Sequence, residues 1–272
     1  MVRHPLGNHH HGPDTFLVTS DTKQTGAATA EKRNVTDNEP DALRDLVEGA
    51  RVVLWDFDGP ICRLFAGHSA DRVANDLTSW LESRGLHGLL TDSERESPDP
   101  HVLLRAVGRR HPGSDLVAEL EERLSQEELR ATASAMPTPY ADPLIRTWTA
   151  VGSRPAVTTN NSPRAVSEYL ASRGLGACFA TRVYGRTQEL NHLKPDPHCV
   201  NRALEAMTAA PATALMIGDA PTDLYAARAA GVPFLGYARN ERKERLLRDA
   251  GTTTVVRSLA TVLDVVRTVA QA

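Results

Sequence analysis

The chain of 272 residues has little cysteine, little lysine and little net charge, and each shortage narrows what it can be. Its three cysteines, Cys62, Cys178 and Cys199, are odd in number and far apart, a spacing that suits neither a disulfide framework nor a paired-cysteine metal knuckle. A reducing, cytoplasmic setting is the expectation. Basic and acidic side chains number 31 and 34, so a formal charge of -3 gives no global field to recruit nucleic acid or an anionic membrane. No apolar run approaches the roughly 18 residues that a membrane span needs, and the first residues lack the apolar core of an export signal. Neither nucleic acid nor membrane is therefore expected as a partner. Lysine occurs only at Lys23, Lys32, Lys194 and Lys243, all other basic residues being arginine. A primary ammonium inside the folded part is a departure from the chain's own habit.

What the chain does have is 41% apolar content, enough at this length for one ordinary buried core and a smaller second one. Residues 1–40 are rich in small and polar side chains without helical or strand period and read as a disordered arm. The cluster His9, His10 and His11 in that arm is assigned no role. Residues 41–50 predict a short helix. Arg51 to Trp55 then form a short, continuously apolar run, the pattern of a strand buried on both faces of a parallel sheet. Further strands are predicted at Pro155 to Thr159, Cys178 to Tyr184, Thr213 to Ile217, Pro233 to Leu235 and Thr253 to Val256. Helical patterns separate them at Pro163 to Ser172, Pro197 to Met207, Thr222 to Ala230, Glu241 to Asp249 and Leu259 to Val269. Strands alternating with helices predict an α/β fold with a doubly wound parallel sheet.

Residues 65–138 interrupt this alternation. Val73, Leu77, Trp80 and Leu81, then Val102, Leu103, Ala106 and Val107, then Leu116, Leu120, Leu124 and Leu129 recur at helical spacing, with no clear strand pattern among them. The segment is too long for a loop, and it predicts a helical domain inserted into a core made of residues 41–64 and 139–272.

Ligands of open α/β sheets bind at the carboxyl ends of the strands, and four predicted strand ends carry distinctive groups. Asp56-Phe57-Asp58-Gly59 sets two carboxylates two residues apart before a glycine that permits a tight turn, so one can attack while the other handles a proton. Thr158-Thr159-Asn160-Asn161-Ser162 offers hydroxyl, amide and backbone donors suited to phosphate oxygens, and it equally suits a plain helix cap before Pro163. Lys194, between His192-Leu193 and Pro195-Asp196-Pro197, is a compact cation able to sit between two anions. Gly218-Asp219-Ala220-Pro221-Thr222-Asp223 supplies hard oxygen ligands of the kind Mg²⁺ takes.

In this order, Asp-x-Asp-Gly, Thr-Asn, Lys-Pro and Gly-Asp-x-x-x-Asp, each closing a strand, resemble the motif set of the haloacid-dehalogenase (HAD) superfamily from Val52 to the C-terminus. The helical insertion resembles the cap of its phosphoglycolate phosphatase and β-phosphoglucomutase branch. The resemblance implies a Rossmann-like core and a Mg²⁺-dependent phosphatase acting on a small phosphorylated metabolite through an aspartyl-phosphate. Asp56 would be the nucleophile and Asp58 the acid and base. Thr159 and Lys194 would hold the phosphoryl group, with Asn160 and Arg63 toward the substrate. Mg²⁺ would be held by Asp56, the Asp58 backbone carbonyl and Asp219, supported by Asp223. Asp58 argues against a dehalogenase, since the dehalogenases lack an aspartate there. Two positions depart from the branch, where Asp-Gly is followed by Thr or Val and then by an acidic residue: here Pro60 and Arg63 occupy those places, so substrate identity does not carry over. His68 matches a histidine of some mutase-like relatives. A phosphomutase and a regulatory protein without turnover are the alternative readings.

Overall fold

The computed structural model describes residues 39–271. Most of the arm predicted before residue 41, with His9 to His11, lies outside them, although Glu39 and Pro40 already belong to the first helix. Chain order is α1 (Glu39–Gly49), β1 (Val52–Trp55), β2 (Cys62–Arg63), α2 (Ala70–Ser83), α3 (Asp92–Arg95), α4 (Pro100–Arg110), α5 (Asp115–Ala131) and β3 (Met136–Pro137). It continues with α6 (Ala141–Ala150), β4 (Arg154–Thr158), α7 (Pro163–Ser172), α8 (Gly176–Phe179), β5 (Val183–Tyr184), α9 (His198–Ala206) and β6 (Ala214–Gly218). The chain closes with α10 (Pro221–Ala229), β7 (Phe234–Tyr237), α11 (Glu241–Asp249), β8 (Val255–Val256) and α12 (Leu259–Gln271).

Six strands form one parallel sheet in the order β5-β4-β1-β6-β7-β8. The chain winds outward from β1 through β4 to β5, then returns and winds the other way through β6, β7 and β8, which makes the β1 edge the switch point where such sheets open a crevice. Alternation divides the core between the two faces. Val53, Trp55, Leu215 and Ile217 pack with α1, α6, α7 and α12; Val52, Leu54, Ala214 and Met216 pack with α9, α10 and Leu247 of α11. A strand buried on both sides has no polar face to show, which is why β1 reads as an unbroken apolar run.

The insertion has a third apolar cluster, in which Val73, Leu77 and Leu81 of α2 meet Leu103, Leu104 and Val107 of α4 and Val117, Leu120 and Leu124 of α5. Leu190 and Leu193, from the stretch before α9, complete that cluster and dock the insertion on the sheet domain. Three details differ from expectation. Residues 178–184 are not one strand: Gly176–Phe179 is a helical turn, ended by Ala180 at φ 51°, and only Val183–Tyr184 pairs with β4. The insertion also carries a strand, because Met136–Pro137 pairs antiparallel with Cys62–Arg63. Two residues are too few to show a period, and a proline suits such an edge. Helix α6, absent from the pattern reading, returns the chain to the sheet.

Candidate active site

The registers bring three of the four expected strand ends level, whereas Lys194 closes no strand and reaches the edge from the stretch after β5, behind a short helical turn at Leu190–His192. Trp55 pairs with Val157 on one side and Ile217 on the other, so Asp56, Thr158 and Gly218 follow at the same height along the carboxyl edge. Asp56 donates its backbone N–H to Ile217 O at 2.9 Å, which fixes the start of the next turn. Gly59 turns there at φ 126°, and a Cβ on it would come within 2.4 Å of Asp219 Cγ. A Cβ on Gly218 would come equally close to Asp223 Cβ, at 2.4 Å. Gly59 lets the two acidic loops approach at backbone distance, and Gly218 lets its own loop fold back on Asp223.

Lys194 is the centre of the arrangement. Its Nζ donates to Asp56 Oδ1 at 2.8 Å, Asp223 Oδ1 at 2.5 Å and Thr158 O at 3.1 Å, three acceptors for the three protons of an ammonium. Burial works against this charge, but Asp223 and Asp56 outweigh burial and hold the Lys194 pKa above its ordinary value. The other oxygen of Asp223 accepts from the backbone N–H groups of Asp219, at 3.1 Å, and Ala220, at 3.0 Å. Asp223 is therefore fully engaged by the chain's own donors. Asp56, Asp219 and Asp223 offer carboxylate oxygens within 4.8 Å of one another.

Burial pushes the Asp56 carboxyl up to about 7, helped by Asp223 and opposed by Lys194. Asp219 rises to about 6, again through burial and against the pull of Lys243. Asp58 rises to about 6 through burial, although its Oδ1 accepts from Leu64 N at 2.9 Å. The crowding has one electrostatic meaning: Asp56, Asp219 and Asp223 pair directly with the ammoniums of Lys194 and Lys243 at this edge.

Thr159 and Asn160 lie beside Lys194 on the wall of the same cleft, whose volume is about 900 Å³. Thr159 Oγ1 donates to Asn161 Oδ1 at 3.0 Å and accepts from Asn161 N at 3.2 Å. Asn160 uses both of its amide atoms on the Lys194 backbone, accepting from its N–H at 2.7 Å and donating to its carbonyl at 3.3 Å. Its side chain thus positions the lysine. Arg63, on β2, is exposed on the cleft wall. His68 pairs with Glu127 Oε2 at 2.8 Å, which ties it to α5.

The insertion supplies residues that the pattern reading missed. Arg105 of α4 donates to the Lys194 carbonyl at 2.8 Å. Glu128 of α5, 0% exposed, accepts from Ser162 N at 2.8 Å, from Asn161 Nδ2 at 3.0 Å and from Arg186 at 2.9 and 3.0 Å. Arg186 also donates to Asn160 O at 2.8 Å, so a continuous polar chain runs from α5 through the loop after β4 to Lys194. His101 Nε2 lies 3.3 Å from Glu128 and its Nδ1 3.2 Å from Asp99. Burial works against its charge, but hydrogen bonds to Asp99 and Glu128 raise the His101 pKa to about 9. Glu128 itself is driven to about 2, Arg186 and His101 outweighing its burial. A signal for Glu128 was present in the sequence: it continues the four-residue stripe Leu116, Leu120, Leu124, where an acid is out of place unless paired.

Such a doubly wound sheet, with clustered carboxylates and a buried ammonium at its switch point under a helical insertion, has the architecture of an enzyme acting on an anionic ligand. Residues 109–231 match the haloacid dehalogenase-like hydrolase family. The phosphoglycolate phosphatase of Rhodospirillum rubrum is 36% identical over 198 residues, covering 70% of this chain and 81% of that one. The phosphoglycolate phosphatase of Rhodobacter capsulatus is 27% identical, covering 72% and 88%. Among solved structures, that of CbbY from Rhodobacter sphaeroides in complex with phosphate superposes with a TM-score of 0.58 at 20% identity, covering 79% and 99%. The chain belongs to the haloacid dehalogenase-like hydrolase family and is phosphoglycolate phosphatase-like.

Proposed function

We propose that the protein is a divalent-cation-dependent phosphatase that hydrolyses a small phosphorylated metabolite, with Asp56 as the nucleophile. The observation that carries this reading is the contact of Lys194 Nζ with Asp56 Oδ1, 2.8 Å, at the carboxyl edge of the sheet. A carboxylate and a phosphate repel, and a buried ammonium against the attacking group reduces that repulsion without needing to reorganise. Asp56 forms a bond to phosphorus as the bond to the leaving oxygen breaks. Asp58 is suited to the proton work: Leu64 N holds one of its oxygens, and a carboxyl raised to about 6 can give a proton to the leaving oxygen and then take one from the water that releases phosphate. Thr159, at the helix-opening loop beside Lys194, serves the phosphoryl oxygens, with Asn160 and Arg105 steadying the Lys194 backbone.

The donor set suits Mg²⁺: hard carboxylate oxygens of three aspartates lie within 4.8 Å of one another. Asp56 and Asp219 would hold it, with the Asp58 carbonyl as the family resemblance implies and Asp223 as support. Bound there, the cation supplies charge neutralisation and Lewis-acid polarisation of phosphoryl oxygens.

The relatives' names make 2-phosphoglycolate the first compound to try. The test is release of inorganic phosphate from a panel of phosphorylated metabolites with Mg²⁺ present. Release from at least one small monoester is expected; phosphate migration without release would replace hydrolysis by a mutase reaction, and no turnover on any panel member would overturn the proposal.

A further inference from the structure

Asp219 has a partner that none of these steps uses. Lys243 stands in the first turn of α11, its N–H donating to Asn240 Oδ1 at 3.0 Å. Its Nζ lies 2.9 Å from Asp219 Oδ2 and 3.3 Å from the Asp219 carbonyl. The two lysines of the cleft differ in kind. Lys194 is anchored by two carboxylates with its side chain 2% exposed, whereas Lys243 has one carboxylate and a side chain 28% exposed. Lys194 has nowhere to go, and Lys243 has solvent beside it.

We propose that Lys243 is a built-in rival of the divalent cation for Asp219, an ammonium that neutralises this carboxylate before the cation arrives and thereby sets a weak cation affinity. The inference rests on the reading of Asp219 as a cation ligand. A carboxylate that bridges an ammonium and a dication brings three positive charges within a few ångströms, about a carboxylate that is itself buried. Repulsion between them falls off slowly where water is scarce, and it exceeds the modest gain from one partly exposed hydrogen bond. The opposite role, in which Lys243 only orients Asp219 for the cation, predicts the opposite sign, since losing it would loosen the ligand and weaken binding. The sign of the effect therefore decides.

The experiment is a titration of the full chain with Mn²⁺ alone, read by calorimetry and by the spectrum of free Mn²⁺, so that no turnover is required. Lys243→Met should bind Mn²⁺ about tenfold tighter than the unaltered chain or more. Lys243→Arg keeps the charge and should stay within about threefold, which separates charge from packing. Lys243→Gln replaces the methionine variant if that one melts early. Equal or weaker Mn²⁺ binding by the neutral variants overturns the proposal. Asp219→Ala reports on the underlying reading: loss of binding keeps Asp219 as a ligand whatever Lys243 does, and unchanged binding removes both claims together.

Discussion

Glu128→Gln exposes the energetics of the junction between insertion and sheet. Glutamine matches the volume of glutamate, so no cavity opens. The side chain it replaces accepts from two backbone or amide donors and twice from Arg186. Glutamine has one acceptor oxygen and one NH₂, and whichever way the amide turns, its NH₂ faces N–H donors. The Arg186 guanidinium, with its side chain 0% exposed, would keep only Glu121 as an anionic partner.

Breaking a buried pair from one side costs about 3–5 kcal/mol. The pKa gives a second route to the number. The folded value is about 2 against an ordinary 4.5, and each unit corresponds to about 1.4 kcal/mol, so the charged form contributes roughly 3 kcal/mol. A domain of this size loses about 2–4 °C per kcal/mol, and the melting point should fall by roughly 6–12 °C. The sign with pH follows from the depressed value. Stability supplied by ionised Glu128 is complete above 4.5 and is lost as pH falls through about 2, so the gap between wild type and variant should close over that window. Thermal unfolding followed by circular dichroism over that pH range measures both quantities. A variant within about 0.5 kcal/mol of wild type at neutral pH, or a gap that does not change with pH, would refute the reasoning.

Activity should vanish after exhaustive EDTA treatment and return with Mg²⁺, measured by phosphate release; undiminished turnover in EDTA would remove the cation from the reaction. Asp56→Asn should abolish any covalent phosphoprotein and lower turnover by at least about a thousandfold. Asp58→Asn, given an aryl phosphate whose leaving group needs little protonation, should accumulate phosphate on Asp56; mass spectrometry that finds the label elsewhere would overturn the assignment. For His101 the folded pKa is raised to about 9, so its contribution is complete below 6.5 and is lost as pH rises through 9. His101→Gln should flatten a slope in stability worth on the order of 3 kcal/mol across that window, and an unchanged slope in the variant would show that another group titrates there.

The sequence by itself determined the parts governed by local rules. Apolar runs ending in Asp56, Thr159 and Asp219 announced strands whose carboxyl ends carry chemistry, and periods of three and four residues announced the helices of the insertion. The Lys194 reading rested on a rare lysine among arginines, on the prolines that follow it and on its place in the ordered motifs, and these singled out the residue that sits between Asp56 and Asp223. Residues 178–184 misled because a helical turn and a two-residue strand both carry apolar residues, and the break between them, which begins at Ala180 with its positive φ, leaves no period to read. What the tertiary structure alone decided are pairings across long separations. Glu128 lies 58 positions from Arg186 and 33 from Asn161, and no local pattern says that these groups meet. Lys243 was visible as a rare lysine, but not as the partner of Asp219, because that contact exists only once the strands stand in register and α11 begins above β7. Side-chain type and spacing are written along the chain, whereas the cost of burying a charge and the partner that offsets it depend on neighbours that folding supplies.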